Sequence, residues 1–255
     1  MLGELYAQAL EKAGHTVHRR LSLGGTDIAL AALQRGEIDL YPEYTGTALV
    51  NQLHLPPESD PARAYGIVKK AFAAKYGLIW LNPSPFNDTN ALASTKATAA
   101  KYGITTLSDL AAKAPQLRLG AVPEFLKRQD GLPGLQRKYG GFHFRDVKLL
   151  DYGIKYQALG HGDVDVVVAF STEGQITAMD LLVYADDKHL FPTYQVAPVV
   201  RKEALAKTPS LAAPLDRLAP LLTDSVMRAL NLEVEGPKKR EPADVARDFL
   251  AAHGG

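Results

Sequence analysis

The sequence predicts an α/β chain of two lobes, one inserted into the other, and three observations carry that expectation. Helix-like and strand-like segments alternate along most of the chain, the pattern of a sheet covered by helices. The pattern A-L-x-x-G-acid-aliphatic-Asp-aliphatic is written twice, in ALQRGEIDLYPEYTG (32 to 46) and ALGHGDVDVVVAFST (158 to 172). An aromatic follows five residues after the Asp each time, at Tyr44 and Phe170, so the whole pattern repeats at a constant step of 126 positions. Finally, two breaker-containing extended segments, NPSPFND (82 to 88) and HLFPTYQVAPVV (189 to 200), cut the series into an outer and an inner part.

The elements follow in order. Helices are expected at 2 to 13 and 26 to 34, strands at 16 to 21 and 37 to 41, and a short helix after the YPEYTG turn. Gly24-Gly25-Thr26 reads as a loop with Thr26 or Asp27 as a helix cap. A long helix runs from Asp60 to Tyr76, and strand LIWL (78 to 81) leads to the first crossing. The inner series has strand ALAST (91 to 95), a helix over 106 to 113 with a Thr106/Asp109 capping box, strand LRLGAV (117 to 122) and a helix opened by Pro123. Strand-like HFRDVKLL (143 to 150), a helix ending at the second copy of the pattern, strand VDVVVAF (164 to 170) and LLVYAD (181 to 186) complete it. After the second crossing, helices are expected at 202 to 206, 210 to 222, 223 to 231 and 241 to 252. Gly36 and Gly162 suit the left-handed conformation that closes a helix. The lobes are expected at 1 to 83 with 192 to 255, and at 84 to 191, with mostly parallel sheets. A single continuous sheet carrying a chance echo is the alternative.

Length and composition suit a soluble globular chain: 255 residues, 46% hydrophobic and 22% charged. A formal net charge of +1 gives no global pull toward nucleic acid or anionic membrane. With no cysteine there is no disulfide framework, thiolate metal site or cysteine nucleophile. The opening MLGELYAQALEKAG lacks the basic start and apolar core of a signal peptide and reads as a helix already under way. No histidine pair, nucleophile elbow or phosphate-loop motif marks a catalytic or metal centre. What stands out is aromatic: Tyr41, Tyr44, Phe86, Phe170 and Tyr194 fall at strand ends and crossings, with Asp88 nearby. Rings around one acid suit a cation with no N–H to donate, such as a quaternary ammonium.

GEIDLYPEYTGTAL, FNDTNALA, RQDGLPGL, STEGQI and DDKHLFPTYQVAPVVR strongly resemble the substrate-binding proteins of glycine betaine/carnitine/choline ABC transporters, in the family's order. The resemblance implies a type II periplasmic-binding-protein fold: two α/β lobes, two crossing strands and a ligand cleft between them. It implies a binding protein and not an enzyme, with no cofactor and no metal, working as a monomer at the periplasmic or extracellular face. Its partners would be a small quaternary amine and the permease subunits of an ABC importer, not nucleic acid. Tyr44 and Tyr194 fall on cation-binding aromatics of the family, Asp88 on the acid beside the ammonium, and Thr47 and Arg128 on groups that hold the ligand's carboxylate. Two positions depart: Asn90 stands where another aromatic is common, and Phe170 where a Tyr is common. The resemblance also implies a first strand and a Lys-Asn-Phe-like loop ahead of residue 1, so the first strand of the outer lobe is missing from this chain. A transcriptional regulator's effector domain, which shares the two-lobed fold, is the other functional reading.

Overall fold

The computed structural model describes residues 1 to 236 and 238 to 253. The chain divides into two compact units, one formed by Met1–Asn87 and the chain from Thr193 onward, the other by Asp88–Pro192.

Unit one opens with α1 (Leu2–Lys12) and α2 (Thr26–Arg35). Between them, the segment expected as a strand at 16 to 21 forms no ladder. No described strand pairs with it, and Arg19 is drawn back onto α1, where it bonds Glu4 and Glu11 with Nε–Oε1 at 3.0 Å and Nη1–Oε1 at 2.6 Å. The cap of α2 is Gly25 rather than Thr26 or Asp27, and the Asp27 carboxylate instead accepts from Gln52 at 2.6 Å.

Strand β1 is Leu40–Tyr44, three residues later than expected. Glu37 and Asp39 are spent on surface pairs with Arg35 and Arg201, so the ladder begins where the charges end. A short α3 (Thr45–Thr47) runs into a π-helical turn at Ala48–Gln52. Helix α4 (Pro61–Tyr76) starts where expected, its cap Asp60 accepting from the Arg63 N–H at 2.8 Å, and β2 (Leu78–Trp80) follows.

Unit two contains β3 (Asn90–Thr95), α5 (Lys96–Tyr102), α6 (Leu107–Lys113) with the Thr106/Asp109 capping box, and β4 (Arg118–Ala121). Pro123 opens only a single 3-10 turn. Helix α7 (Leu132–Tyr139) was not legible, because its RQDGLPGL entry reads as breakers. Strand β5 (Asp146–Leu149), α8 (Lys155–Gly160), β6 (Val166–Phe170), α9 (Gly174–Ala178) and β7 (Leu181–Val183) complete the unit. Returning to unit one, β8 (Val196–Arg201) leads into α10 (Lys202–Lys207), α11 (Ala212–Leu218), α12 (Asp224–Glu235) and α13 (Pro242–Ala252).

The sheets are not mostly parallel. In unit one the order is β1-β8-β2, and β8 is antiparallel to both neighbours. In unit two the order is β5-β4-β6-β3-β7, with β4 parallel to β5 and β6, and β3 antiparallel to β6 and β7. The reason lies in the crossings. A strand that arrives from the other unit lacks the helical crossover that turns a chain round for parallel pairing, and β3 and β8 are those strands.

Each sheet is covered by helices. In unit one, Val196 and Val200 face a cluster with Leu5, Leu10, Leu215 and Phe249, while Ala197 and Val199 face Leu33, Phe72 and Trp80. That is the period-two alternation of a strand buried on both sides. In unit two, Ala91, Ala93, Val167 and Ala169 pack with Leu159 and Tyr156.

Candidate functional site

The repeated pattern folds into the same corner twice. The Gly36 N–H donates to Leu33 O at 3.1 Å and the Glu37 N–H to Ala32 O at 2.9 Å; the Gly162 N–H donates to Leu159 O at 3.1 Å and the Asp163 N–H to Ala158 O at 2.8 Å. These are Schellman closures, and both glycines are left-handed, with φ of 75° and 74°. Five-residue strands follow, and Tyr44 and Phe170 are the last residues of β1 and β6 rather than lying past their ends. Beneath each aromatic a carboxylate accepts its backbone N–H: Glu43 for Tyr44 at 2.7 Å and Glu173 for Phe170 at 2.9 Å.

In unit one, the Tyr44 ring meets Phe86 edge-on, with centroids 6.5 Å apart. Tyr41 lies on the opposite face of β1, in the core with Trp80, and its hydroxyl donates to Glu43 at 2.7 Å, so it is core and not site. Tyr194 is held by the YPEYTG turn. A Cβ on Gly46 would come within 2.6 Å of Thr193 O and 2.7 Å of the Tyr194 ring, so only glycine lets the ring lie against this backbone. Thr45 ties the same place, its hydroxyl donating to Thr193 O at 3.1 Å and accepting from the Gln195 N–H at 3.2 Å. The Tyr194 N–H donates to Asn87 Oδ1 at 2.6 Å. Thr47, in the next turn, is buried. Tyr44, Thr47 and Tyr194 are thus mounted on one turn and the strand entry it grips.

In unit two, Asp88 accepts from both the hydroxyl and the N–H of Thr172, in the loop after β6. Burial pushes its carboxyl up to about 6, against those two hydrogen bonds; Glu173 pushes the same way and Lys155 opposes. Asn90 is buried and sits opposite Phe170 across the β3–β6 ladder, while the Thr89 N–H donates to Ser171 Oγ at 3.0 Å. Arg128 forks onto Asp130, with Nε–Oδ1 at 2.8 Å and Nη2–Oδ2 at 2.6 Å. Its loop needs both glycines of RQDGLPGL: a Cβ on Gly131 would lie 2.1 Å from Phe125 O, and one on Gly134 2.3 Å from Gln129 O.

Sequence reasoning missed the polar heart of unit two. The Lys155 side chain is 0% exposed and its ammonium sits 2.7 and 3.0 Å from the two oxygens of Glu173. It also lies over three rings, 5.4 Å from the centroid of Tyr152, 4.9 Å from Tyr156 and 5.3 Å from Phe170. The Tyr156 hydroxyl bonds Glu173 as well, and Tyr152 stacks on Phe170 with centroids 6.0 Å apart and planes at 26°. A signal existed. Tyr152, Lys155 and Tyr156 stand at i, i+3 and i+4, the spacing that gathers side chains on one helix face, and Glu173 lies in the STEGQI segment.

A two-unit α/β fold with aromatics at strand ends suits a solute-binding protein, and the comparisons with known proteins give the class. Residues 1 to 252 match the substrate-binding domain of ABC-type glycine betaine transport systems, and the chain belongs to that family. It is a binding protein and not an enzyme, and nothing in the family supports the regulator reading. The chain is similar to the ergothioneine transport permease/ergothioneine binding protein EgtU of Helicobacter pylori, 38% identical over 98% of this chain and 45% of that protein, so it spans under half of that relative's length. It is also similar to the glycine-betaine-binding protein of Pseudomonas aeruginosa, 38% identical over 99% of this chain and 84% of that one. Among solved structures, a glycine betaine/carnitine/choline ABC transporter superposes with a TM-score of 0.80 at 34% identity, covering 98% of this chain and 93% of that chain. Apo YehZ of Escherichia coli follows at 0.72 and 30%, covering 99% and 94%. The fold is therefore the two-lobed periplasmic-binding-protein fold, with open sheets.

Proposed function

We propose that this chain captures a quaternary-ammonium solute at the outer face of the cytoplasmic membrane and delivers it to the permease of an ABC importer, acting as a monomer. The observation that carries this reading is the unit-one corner, where Gly46 lets the Tyr194 ring lie against the turn that also carries Tyr44. Tyr44 and Tyr194 supply ring faces for the cation, each worth about 0.5 to 2 kcal/mol in a desolvated site. Asp88 supplies the counter-charge. Thr47 and Arg128 hold the carboxylate of a betaine or carnitine, and Asp130 keeps the Arg128 fork in one orientation for that task. Asn90 and Phe170 complete the set as the positions where this ligand differs from the family's usual one. The names of the relatives support the ligand class, which spans glycine betaine, carnitine and ergothioneine.

A thermal-shift panel of glycine betaine, choline, carnitine and ergothioneine ranks the candidates, because the midpoint rises with ligand concentration over Kd. At least one of them raises the midpoint of the wild-type chain. For that ligand, titration calorimetry of Tyr44→Ala and Tyr194→Ala shows binding at least about tenfold weaker, roughly 1.4 kcal/mol. A panel with no shift sinks the ligand class, and wild-type affinity in both variants removes the two rings from the site.

A further inference from the structure

Unit two presents an aromatic cluster that already contains a cation. Three rings surround the Lys155 ammonium within 5.4 Å, inside the range of about 6 Å over which a ring face attracts a positive charge. The arrangement is built rather than incidental. Glu173 neutralises the buried ammonium and is itself held by the Tyr156 hydroxyl and the Phe170 N–H, so the pair is tied to the β6 corner. One wall faces outward: Tyr152 is 51% exposed and stacks on Phe170. Burial raises the pKa of the Tyr152 hydroxyl, the Glu124 charge pushing the same way and the Arg128 charge opposing it. Opposite Phe170 on the ladder stands Asn90, which adds no ring.

We propose that Lys155 is a specificity-determining residue: its ammonium occupies the faces of Tyr152, Tyr156 and Phe170 as a built-in cation, closing the unit-two rings to a quaternary ammonium and selecting zwitterionic solutes over bare cations. The effect is electrostatic. A ring offers its negative face to one cation at full strength, and a second cation on the same cluster meets a face already engaged by Lys155. A ligand part arriving at Tyr152 therefore does best if it is not a cation. The neutral or carboxylate part of a zwitterion is tolerated at Tyr152, whereas the ammonium of tetramethylammonium or choline is not.

This deepens the proposed quaternary-ammonium function and rests on it, but its test stands apart. The probes are glycine betaine, choline and tetramethylammonium, titrated by calorimetry into the wild type, Lys155→Met/Glu173→Gln and Tyr152→Ala. The double variant removes the internal cation together with its paired carboxylate, and a melting curve checks that it folds. In it, tetramethylammonium affinity relative to glycine betaine rises at least fivefold. An unchanged ratio overturns the proposal, including one in which all affinities fall in parallel, as a merely structural role for Lys155 requires. Tyr152→Ala alters an exposed side chain and keeps the question answerable if the double variant does not fold. It leaves tetramethylammonium binding within twofold of wild type, and a tenfold loss shows that the unit-two rings do take the cation and refutes the idea. If the wild type binds none of the probes, the quaternary-ammonium function fails by itself. Tetramethylammonium binding that then appears only in the double variant still supports the role of Lys155, and its absence there overturns it.

Discussion

The corner that ends in Tyr44 and the corner that ends in Phe170 share a backbone and differ in chemistry. Both close a helix through a left-handed glycine, run into a five-residue strand and rest the last aromatic's N–H on a glutamate. Yet Glu43 takes the hydroxyl of Tyr41, while Glu173 takes the ammonium of Lys155 and the hydroxyl of Tyr156. The repeated letters specify the turn and the strand. The charge beneath the Phe170 ring is specified outside them, by a glutamate beyond the second copy and by residues 152 to 156 just ahead of it.

The largest test of that difference is to remove one charge from each corner while keeping shape. Glu173→Gln removes the carboxylate paired with the buried Lys155 ammonium, and breaking a buried pair from one side costs about 3 to 5 kcal/mol. Glu43→Gln keeps an oxygen for the Tyr44 N–H and turns its NH2 onto the Tyr41 hydroxyl, which can rotate to accept, and costs about 1 kcal/mol. Chemical denaturation of the two variants under one buffer measures the gap. Equal losses would mean that the two glutamates do the same job and that the ion pair adds nothing of its own.

A smaller effect separates the corners by pH. Asp88, tied to the loop after β6 through Thr172, has its carboxyl raised from 3.8 to about 6 by burial. A raised acid binds its proton more tightly in the folded state, so its favourable contribution is present below about pH 4 and is lost as pH climbs through 6. Above that, the ionised group costs the unliganded protein on the order of 2 to 3 kcal/mol. Asp88→Asn is therefore more stable than wild type at pH 7.5 and loses that advantage by pH 4. Glu173, Lys155 and Thr172 act on the same carboxyl, so the comparison is made in variants that leave all three in place. Ligand binding runs the other way: a cation beside Asp88 favours the ionised form, so affinity rises through pH 6 and the rise disappears in Asp88→Asn. Parallel stability profiles for the two proteins from pH 4 to 7.5 would show that Asp88 is not the titrating group.

What could be read in advance was local. Asp60 caps α4, Thr106 and Asp109 form the capping box, and Gly36 and Gly162 are left-handed, each because the determining atoms lie within a few residues. What could not be read needed a distant partner. The segment 16 to 21 has the composition of a strand, but Arg19 is taken by Glu4 and Glu11, and pairing depends on a neighbour that local pattern does not reveal. The direction of β3 and β8 depends on where each strand comes from. On the site side, Tyr44, Tyr194 and Asp88 were singled out by the family resemblance, and the structure shows what holds each in place. Lys155 was not, since a lysine is almost always on the surface and only its pairing with Glu173, eighteen residues away, makes burial tolerable.

The smallest expected effect tests whether the two corners are equal in backbone. Gly36 and Gly162 sit at φ of 75° and 74°, and alanine in that region costs about 1 to 2 kcal/mol. For Gly162→Ala that is the whole cost, because nothing lies within 4 Å of the new Cβ. For Gly36→Ala the Cβ also comes within 2.8 Å of an Arg201 guanidinium nitrogen, whose ion pair with Asp39 spans 2.7 Å. That side chain is long and partly exposed, so it can swing aside, and the surplus over Gly162→Ala stays under about 1 kcal/mol, the worth of a surface pair. Melting both variants measures the two costs side by side. A neutral Gly162→Ala would mean that the second corner does not hold its left-handed closure in solution, and the likeness between the corners would then end at the sequence.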